Sequence, residues 1–314
     1  MFGDPIFLLS LFAVFCLIGI WIYQVLQDTL TDQSQQIIYI AGLSSSLIGV
    51  YRIFVNAGDL GSVLLIGSII CLIILLVGIY NKNTLLKTTG RGWFVPVFLI
   101  FILRTFIYEP YQIPSGSMIP GLKVGDFILV NKHSYGLKVN RIGDAFALSA
   151  DPEYGDVVVF IPRNNPVPYV KRLIGKPGDS IRIIDKKIYI NGTPVQKDFL
   201  KSEKETITKR FRNSSGEIFT REKEVVVDYF SESLGDAVFT TRNIRGENVQ
   251  YPSEWTIPQG HYFVMGDNRD NSNDSTKDVG FVPRENFFGT ASYLFMTWEC
   301  WTCIPHFSRA GKIN

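Results

Sequence analysis

A short turn that carries two serines is the first segment whose residues could do chemistry. Residues 114–120 read Pro-Ser-Gly-Ser-Met-Ile-Pro, so Ser115 and Ser117 flank a glycine between two prolines. Gly116 permits a tight turn in which a backbone N–H and two hydroxyls point to one side. Serines in such a turn most often only turn the chain. The segment becomes a candidate nucleophile if a base lies beside it.

A lysine in an apolar, strand-like segment is the candidate base. Residues 169–175 read Tyr-Val-Lys-Arg-Leu-Ile-Gly, and strict alternation places Lys171 and Arg172 on opposite faces of a strand. One of the two cations is then expected to point toward the core. Burial disfavours the ammonium form, so a buried lysine can act as a general base. The ordinary alternative is a lysine at a strand edge whose amine reaches water.

A dense polar loop, residues 266–275, is the third segment with candidate chemistry. It reads Gly-Asp-Asn-Arg-Asp-Asn-Ser-Asn-Asp-Ser and follows an apolar strand. A calcium loop of the EF-hand type is excluded by its spacing, because Asp278 rather than a glutamate stands at the twelfth position counted from Asp267. A plain loop of Asx turns is the simpler interpretation.

No histidine stands in a setting typical of a catalytic triad. His133 lies in a polar turn, His261 begins a predicted strand, and His306 lies in the tail of the sequence. A nucleophile needs a base within hydrogen-bond reach, so the remaining candidate is a serine–lysine pair. Four cysteines and three histidines, scattered along the chain, leave little for a metal or haem site, and no metal or cofactor is expected.

Taken together, the three segments, in this order and after a membrane anchor, resemble the bacterial type I signal peptidases (leader peptidases). The resemblance runs from about residue 106 to residue 289 and is weakest over residues 198–256. It implies that Ser117 is the nucleophile and that Lys171, in its neutral form, is the general base. It also implies an oxyanion hole made of the Ser117 N–H and the Ser115 hydroxyl.

Further roles follow only from this resemblance. Ser272 is expected to orient the lysine amine through its hydroxyl, Arg172 to pair with Asp267, and Asp274 to hold the polar loop together. The implied substrate-binding residues are Tyr111, Ile113, Pro114, Met118, Leu122, Tyr169 and Val170. Lys277 stands near the place of a family arginine, but a single ammonium is not a bidentate fork.

The implied function is a membrane-bound serine endopeptidase that forms an acyl-enzyme and removes N-terminal signal peptides from exported preproteins. Small apolar pockets suit the small residues of an A-x-A cleavage site. The alternative within enzymes is a related serine–lysine peptidase that matures one specific secretion or conjugation substrate. A silent membrane scaffold is the alternative outside enzymes, but it has no reason to keep Ser117, Lys171 and Ser272 together.

The residues before 109 must anchor this chemistry in a membrane. Uncharged apolar runs of spanning length occupy Pro5–Leu26 and Leu60–Tyr80, and residues 93–108 form a shorter run with Arg104 near its end. Residues 37–55 are doubtful, since they include three serines and an arginine, so three or four spans are expected. The first run has 22 residues, which exceeds a usual signal-peptide core, and we interpret it as an uncleaved anchor.

The charges between the runs predict an orientation. Residues 81–92 carry Lys82, Lys87 and Arg91 and no acid, so this expected loop should be cytoplasmic. The chain from residue 109 onward then lies on the extracytoplasmic, periplasmic side of a bacterial inner membrane. Partners are expected to be signal peptides and the phospholipid bilayer, with the chain acting as a monomer.

Residues 109–314 have the texture of an antiparallel, barrel-like β domain. Gly-Asp turns precede short Val/Ile/Phe runs at 127–130, 157–161 and Ser180–Ile184, and Lys187–Ile190 followed by Asn-Gly predicts a hairpin. Residues 198–256 are charged and turn-rich, with one apolar strand at 225–230, and we interpret them as a variable peripheral insertion. This part holds 26 Lys and Arg against 25 Asp and Glu, a near balance that argues against binding nucleic acid.

Overall fold

A computed structural model describes residues 4–55, 60–136, 143, 147, 150–163, 165–212, 218–247, 254–300 and 302–313. The chain divides into two compact units, Met1–Thr105 and Phe106–Asn314. Within the described residues, the first unit consists of helices and the second is built almost entirely from β-strands.

The described part of the first unit holds four helices: α1 (Pro5–Leu26), α2 (Asp32–Val55), α3 (Leu60–Tyr80) and α4 (Thr84–Ile102), which continues as a π-helical turn over Leu103–Ile107. Asp4 caps α1, where its Oδ1 accepts hydrogen bonds from the N–H groups of Ile6 (2.9 Å) and Phe7 (3.2 Å). Its Oδ2 pairs with Arg52 near the end of α2 at 2.6 Å. The start of α1 therefore lies beside the end of α2, and the two helices form an antiparallel hairpin.

Glycines bring α3 and α4 into close contact. A Cβ added at Gly78 would lie 2.4 Å from the Lys87 nitrogen, and one added at Gly90 would lie 2.5 Å from the Leu75 nitrogen. Small residues of this kind let helix backbones approach each other in an apolar environment, where packing rather than water drives association.

The helical unit gives the extents of the helices in which the spans were expected. Among the described residues, three helical segments are long and apolar enough to cross a membrane, namely Pro5–Leu26, Gly61–Tyr80 and Thr84–Ile107. The doubtful segment 37–55 is helical and lies within α2. The helix that contains most of the last expected span, residues 93–108, begins at Thr84, where the Asn83 side chain caps it by accepting from the Leu86 N–H at 3.0 Å.

The strands of the second unit are β1 (Tyr108–Gln112), β2 (Asp126–Asn131), β3 (Val157–Phe160), β4 (Tyr169–Gly175), β5 (Ser180–Ile184), β6 (Lys187–Ile190), β7 (Thr193–Pro194), β8 (Gln196–Arg212), β9 (Ile218–Leu234), β10 (Ala237–Ile244), β11 (Trp255–Thr256), β12 (His261–Met265), β13 (Val282–Pro283), β14 (Phe287–Thr297) and β15 (Gly311–Lys312). Most of the strands predicted from Gly-Asp turns agree within a residue or two, because glycine at Gly125, Gly155 and Gly178 takes the positive φ that each turn requires.

The described strands form three antiparallel sheets. The main sheet has the order β1-β2-β14-β3-β4-β12-β13, with β15 paired to β14. A second sheet has the order β11-β5-β6-β7 and a third has β10-β9-β8. The main sheet is an antiparallel half-barrel, which confirms the predicted β fold with apolar N-terminal helices.

The main sheet is covered on both faces. One apolar cluster includes Ile113, Met118, Leu122 and Val157, and another includes Val158, Phe160 and Leu173. Because both faces are covered, neighbouring residues of β4 are both buried: Lys171 and Arg172 have side chains that are only 4% and 2% exposed. The alternation argument expected only one of these two cations to face the core.

The segment 198–256 is more ordered than its charged composition suggested. Its described residues form a long ribbon, in which β8 and β9 each have 17 residues, and β10 pairs with β9. The single strand expected at 225–230 is the middle of β9. Cross-strand pairs of opposite charge, which hydropathy alone does not weigh, accompany this pairing, as between Lys204 and Glu224 at 3.8 Å.

Candidate active site

The serine turn is a single turn of 3₁₀ helix, Gly116–Met118, that follows β1 by three residues. The polar loop holds this turn from one side. The Asn268 side-chain amide donates to the Gly116 carbonyl at 2.8 Å, and the Asn268 backbone N–H donates to the Ser117 carbonyl at 3.0 Å. Two hydrogen bonds from one buried residue therefore fix the backbone that carries the Ser117 hydroxyl.

The Lys171 amine lies directly beside that hydroxyl. Lys171 Nζ is 2.6 Å from Ser117 Oγ and 3.0 Å from the Val170 carbonyl oxygen. β4, which carries the lysine, is hydrogen-bonded on both sides, to β3 and to β12. A strand in the middle of a sheet holds its side chains in fixed positions, which makes the serine–lysine contact a property of the fold.

Burial changes the proton affinity of this amine. Desolvation lowers the pKa of Lys171 from its ordinary value of 10.5 to about 8, against the opposing charges of Asp274 and Asp267, which raise it. About a tenth of the amine is therefore neutral at pH 7, and about half at pH 8. A neutral amine at hydrogen-bond distance from a hydroxyl can accept the hydroxyl proton.

Ser115 and Ser272 also lie at this site, in different surroundings. Ser115 Oγ is exposed and 3.4 Å from Ser117 Oγ. Ser272 is 4% exposed and packs against Gly266, where an added Cβ would lie 2.4 Å from Ser272 Oγ and 2.4 Å from the Ser117 carbonyl oxygen. Its hydroxyl makes no hydrogen bond to any described residue, so the expected bond from Ser272 to the lysine amine is not formed in this structure.

Asp274 organises the polar loop from inside. One carboxylate oxygen accepts from the Gly266 N–H at 2.9 Å, and the other accepts from the N–H (3.1 Å) and hydroxyl (2.7 Å) of Thr276. The nearby cation Lys277 donates instead to the Ser272 carbonyl at 2.7 Å. Asp274 thus has uncharged hydrogen-bond partners within the loop, and Lys277 holds the backbone of Ser272.

The expected ion pair between Arg172 and Asp267 is present and buried. Arg172 Nε and Nη2 donate to the two carboxylate oxygens of Asp267, each at 2.8 Å, and Nη1 donates to the Gly155 carbonyl at 2.7 Å. The guanidinium also stacks 3.8 Å from the ring centre of Phe239 in β10. A forked, fully satisfied pair of this kind ties β4 to the start of the polar loop.

The structure brings together most of the residues predicted to bind substrate. Ile113, Met118 and Leu122 are buried in one apolar cluster, and Tyr111 and Val170 pack against it. The other two residues differ. Pro114 is exposed at the start of the serine turn. Tyr169 lies on the face of β4 opposite to Val170, where it packs with Phe160. The Lys171 amine is 5.4 Å from the centre of the Tyr169 ring.

Sequence reasoning missed Asn268 and Phe239. Asn268 is part of the polar loop that the sequence indicates as a candidate for chemistry, but its hydrogen-bond partners are about 150 residues away in the chain, at the serine turn. Phe239 lies in the segment expected to be peripheral. Among the described residues, no cluster of three or more histidine, cysteine or acidic side chains could hold a metal ion.

Fold and site together define a class: an apolar-helix protein with an antiparallel β unit in which a serine and a buried lysine are paired. The family model described as signal peptidase, peptidase S26, matches residues 86–298. The signal peptidase I of Pseudomonas fluorescens is 41% identical over 251 residues, which cover 74% of this chain and 81% of the relative. That of Pseudomonas aeruginosa is 39% identical, with the same coverage of both chains.

A crystal structure of a signal peptidase I from Enterococcus faecalis is also similar, with 24% identity, a TM-score of 0.26, and coverage of 45% of this chain and 97% of that one. The chain belongs to the signal peptidase family, peptidase S26. It is accordingly a hydrolase, and the activity of its family is signal-peptide cleavage.

Proposed function

We propose that this chain cleaves signal peptides from exported preproteins with Ser117 as nucleophile and Lys171 as general base. One observation carries the proposal: the buried Lys171 amine, with its pKa lowered to about 8, is 2.6 Å from Ser117 Oγ. A nucleophilic hydroxyl needs a base at this distance, and the base must be neutral at the working pH.

The proton then has a short path. Lys171 takes the Ser117 hydroxyl proton as Ser117 Oγ bonds to the scissile carbonyl carbon, which forms a tetrahedral intermediate. The resulting ammonium returns the proton to the leaving amine as the C–N bond breaks, which leaves an acyl-enzyme on Ser117. A water molecule, deprotonated by the same amine, attacks the ester carbonyl. As the C–O bond to Ser117 breaks, the ammonium returns the proton to Ser117 Oγ, and the signal peptide leaves with its new carboxyl end.

The negative charge that develops on the carbonyl oxygen needs donors. We assign these to the Ser117 backbone N–H and the Ser115 hydroxyl. The exposed Ser115 hydroxyl, 3.4 Å from Ser117 Oγ, is free to turn toward an oxygen that sits beside the nucleophile. Preorganised donors of this kind act where charge develops in the transition state. Ser272 would orient the lysine amine once substrate excludes water from the site.

Substrate recognition is proposed to use the end of β1 and the start of β4. Among the described strands, β1 is at an edge of the main sheet, so an extended peptide can lie along the side of β1 that faces away from β2, by β-augmentation. The apolar cluster around Ile113, Met118 and Leu122, with Tyr111 and Val170 against it, would line small pockets. Small apolar pockets favour the small residues of an A-x-A site over bulky residues.

We further propose a multi-pass placement in the bacterial inner membrane, with the β unit on the periplasmic side. Lys82, Lys87 and Arg91 lie in the turn between α3 and α4 and in the first two turns of α4. Positive charge at the end of a spanning hairpin favours the cytoplasmic side. A reporter fused after residue 150 that proved cytoplasmic would contradict this orientation.

Cleavage of defined peptides tests the proposal. Detergent-solubilised protein is incubated with a peptide that spans an A-x-A site and with the same peptide carrying a bulky residue in place of the last alanine. We expect cleavage of the first peptide after the last alanine, little cleavage of the second, and none of either by Ser117→Ala. The variant Glu224→Gln is the matched control, since this carboxylate is 68% exposed on the ribbon.

The same assay separates the alternative function. A general signal peptidase cleaves A-x-A peptides of unrelated sequence at comparable rates. A peptidase dedicated to one secretion or conjugation substrate would cleave a single sequence and leave the others intact. If Ser117→Ala cleaved as fast as the unmodified chain, the serine–lysine assignment itself would be wrong.

A further inference from the structure

The polar loop that carries Ser272 is held along its length by the ribbon of β8, β9 and β10. The Arg242 N–H in β10 donates to the Asp267 carbonyl at 2.9 Å, and Arg242 forms a parallel bridge with Asn268. Asp270 accepts from the Ile244 N–H at 2.6 Å. Consecutive residues of the loop therefore rest on one strand of the insertion.

A buried carboxylate, Glu232 in β9, makes the central contact. It is 1% exposed, and its Oε2 is 2.5 Å from Arg269 Nη2. Its Oε1 accepts from the Thr241 hydroxyl at 2.9 Å and lies 3.5 Å from Lys197 Nζ. Glu232 belongs to the ribbon and Arg269 belongs to the polar loop, so this ion pair joins the ribbon to the loop.

The joined loop segment contacts the reacting groups. Arg269 lies in the 3₁₀ turn Arg269–Asn271, which ends immediately before Ser272. The residue before Arg269 is Asn268, whose two hydrogen bonds fix the carbonyls of Gly116 and Ser117. A displacement of Arg269 would therefore move both neighbours of the serine–lysine pair together.

We propose that Glu232 is a positioning residue for the reaction: through Arg269 it sets the place of Asn268 and Ser272, and so the alignment of Ser117 with Lys171. The charged segment 198–256, which forms the ribbon, then contributes directly to the geometry of the active site. This inference rests on the proposed function of Ser117 and Lys171, and it adds a residue that lies outside the three segments with recognised chemistry.

A purely stabilising role predicts something different. Buried ion pairs often contribute little net stability, because desolvation of both charges offsets their attraction. Their geometric effect is more direct, since a misplacement of about 1 Å at a catalytic centre can cost on the order of 100-fold in rate. Loss of the Glu232 charge should thus lower turnover more than it lowers substrate binding.

Glu232→Gln is the main test, with Glu224→Gln as the matched control in the same strand. Both variants are assayed with the A-x-A peptide well below their melting temperatures, and folding is checked by circular dichroism. For Glu232→Gln we expect kcat to fall about 10- to 100-fold while KM changes less than about threefold. Glu224→Gln should keep kcat within about twofold of the unmodified chain.

A double-mutant cycle with Ser272→Ala identifies the route. If Glu232 acts through the polar loop, Glu232→Gln costs clearly less in the Ser272→Ala background than in the unmodified chain, since residues that act as a unit are not additive. Should Glu232→Gln fail to fold, Thr241→Val removes one hydrogen bond from the same carboxylate, and a two- to fivefold loss in kcat is expected.

Two results would overturn the inference. One is a folded Glu232→Gln, or a folded Thr241→Val, with kcat within twofold of the unmodified chain. The other is a loss that multiplies fully with that of Ser272→Ala. In either case the unmodified chain and Glu224→Gln still cleave, so the proposed function stands. If these two proteins fail to cleave any A-x-A peptide, it is the proposed function that is wrong.

Discussion

A buried lysine and a partly buried lysine in the β unit share one property and differ in their neighbours. Lys171 in β4 and Lys197 in β8 both have a pKa lowered to about 8, and desolvation by burial is the largest cause in each. The Lys171 amine has a hydroxyl, Ser117 Oγ, at 2.6 Å. In the described part of the chain, the Lys197 amine has no hydrogen bond to a serine, threonine or cysteine side chain.

The surroundings of Lys197 are those of a structural cation. Its amine donates to the Lys186 carbonyl oxygen and to Asn243 Oδ1, both at 2.8 Å, and Glu232 lies at 3.5 Å. These groups accept hydrogen bonds from an ammonium, and none of them is a hydroxyl or thiol from which a neutral amine could take a proton. The comparison teaches that burial alone makes an amine easier to deprotonate, while a base for catalysis also needs a nucleophile within reach.

The largest expected effect separates the two lysines. Lys171→Ala should reduce kcat by about 10⁴-fold or more, because Lys171 is the one basic side chain among the described residues that is hydrogen-bonded to Ser117 Oγ. Lys197→Met should reduce it less than about tenfold, since the contacts it removes, to the Lys186 carbonyl, Asn243 and Glu232, do not include Ser117. Peptide cleavage under saturating substrate measures both. Near-normal turnover by Lys171→Ala would refute the pairing, and equal losses would erase the distinction between the lysines.

Removal of an oxyanion donor comes next in size. Ser115→Ala should raise the barrier by about 2.7–4 kcal/mol, which corresponds to a loss of about 10²–10³ in kcat with the acyl-enzyme route intact. Ser115→Thr keeps a hydroxyl and should recover part of the rate. A loss below threefold for Ser115→Ala would mean that Ser115 does not contact the developing charge.

The pH profile assigns the titrating group to one lysine. Protonated Lys171 cannot accept a proton, so kcat/KM should rise with pH through a midpoint of about 8 and be about 100-fold below its plateau at pH 6. Lys197→Met should leave that midpoint in place, although Lys197 also has a pKa of about 8. A midpoint that moves with Lys197→Met would show that the rate follows the other lysine.

The smallest of these effects concerns the support of the serine turn. Asn268→Asp replaces the amide donor to the Gly116 carbonyl with an acceptor and should lower kcat about tenfold, with the fold retained. Asn271→Asp, an exposed position three residues further along the same loop, is the control. Equal rates for both variants would show that the Gly116 contact does not position Ser117.

Sequence patterns predicted local structure well and long-range support poorly. The strands after Gly-Asp turns and the hairpin at Asn191 and Gly192 follow from backbone preferences of a few residues. The apolar pattern marked the run from residue 93 but did not mark the start of α4 at Thr84, where Asn83 caps the helix. The ribbon of β8 and β9 was missed because cross-strand charge pairs leave little trace in hydropathy.

By itself, the sequence determined the kind of groups present: two serines in a turn, a lysine in an apolar strand, a polar loop and an apolar anchor. These are local properties, set by residue type and by periods of two or 3.6 residues. The tertiary structure alone decided that Lys171 meets Ser117, that Ser272 stays without a hydrogen-bond partner among the described residues, and that Glu232 holds Arg269. The Lys171–Ser117 contact joins residues 54 positions apart, and the Glu232–Arg269 contact joins residues 37 positions apart. Only the pairing of strands brings such distant positions together.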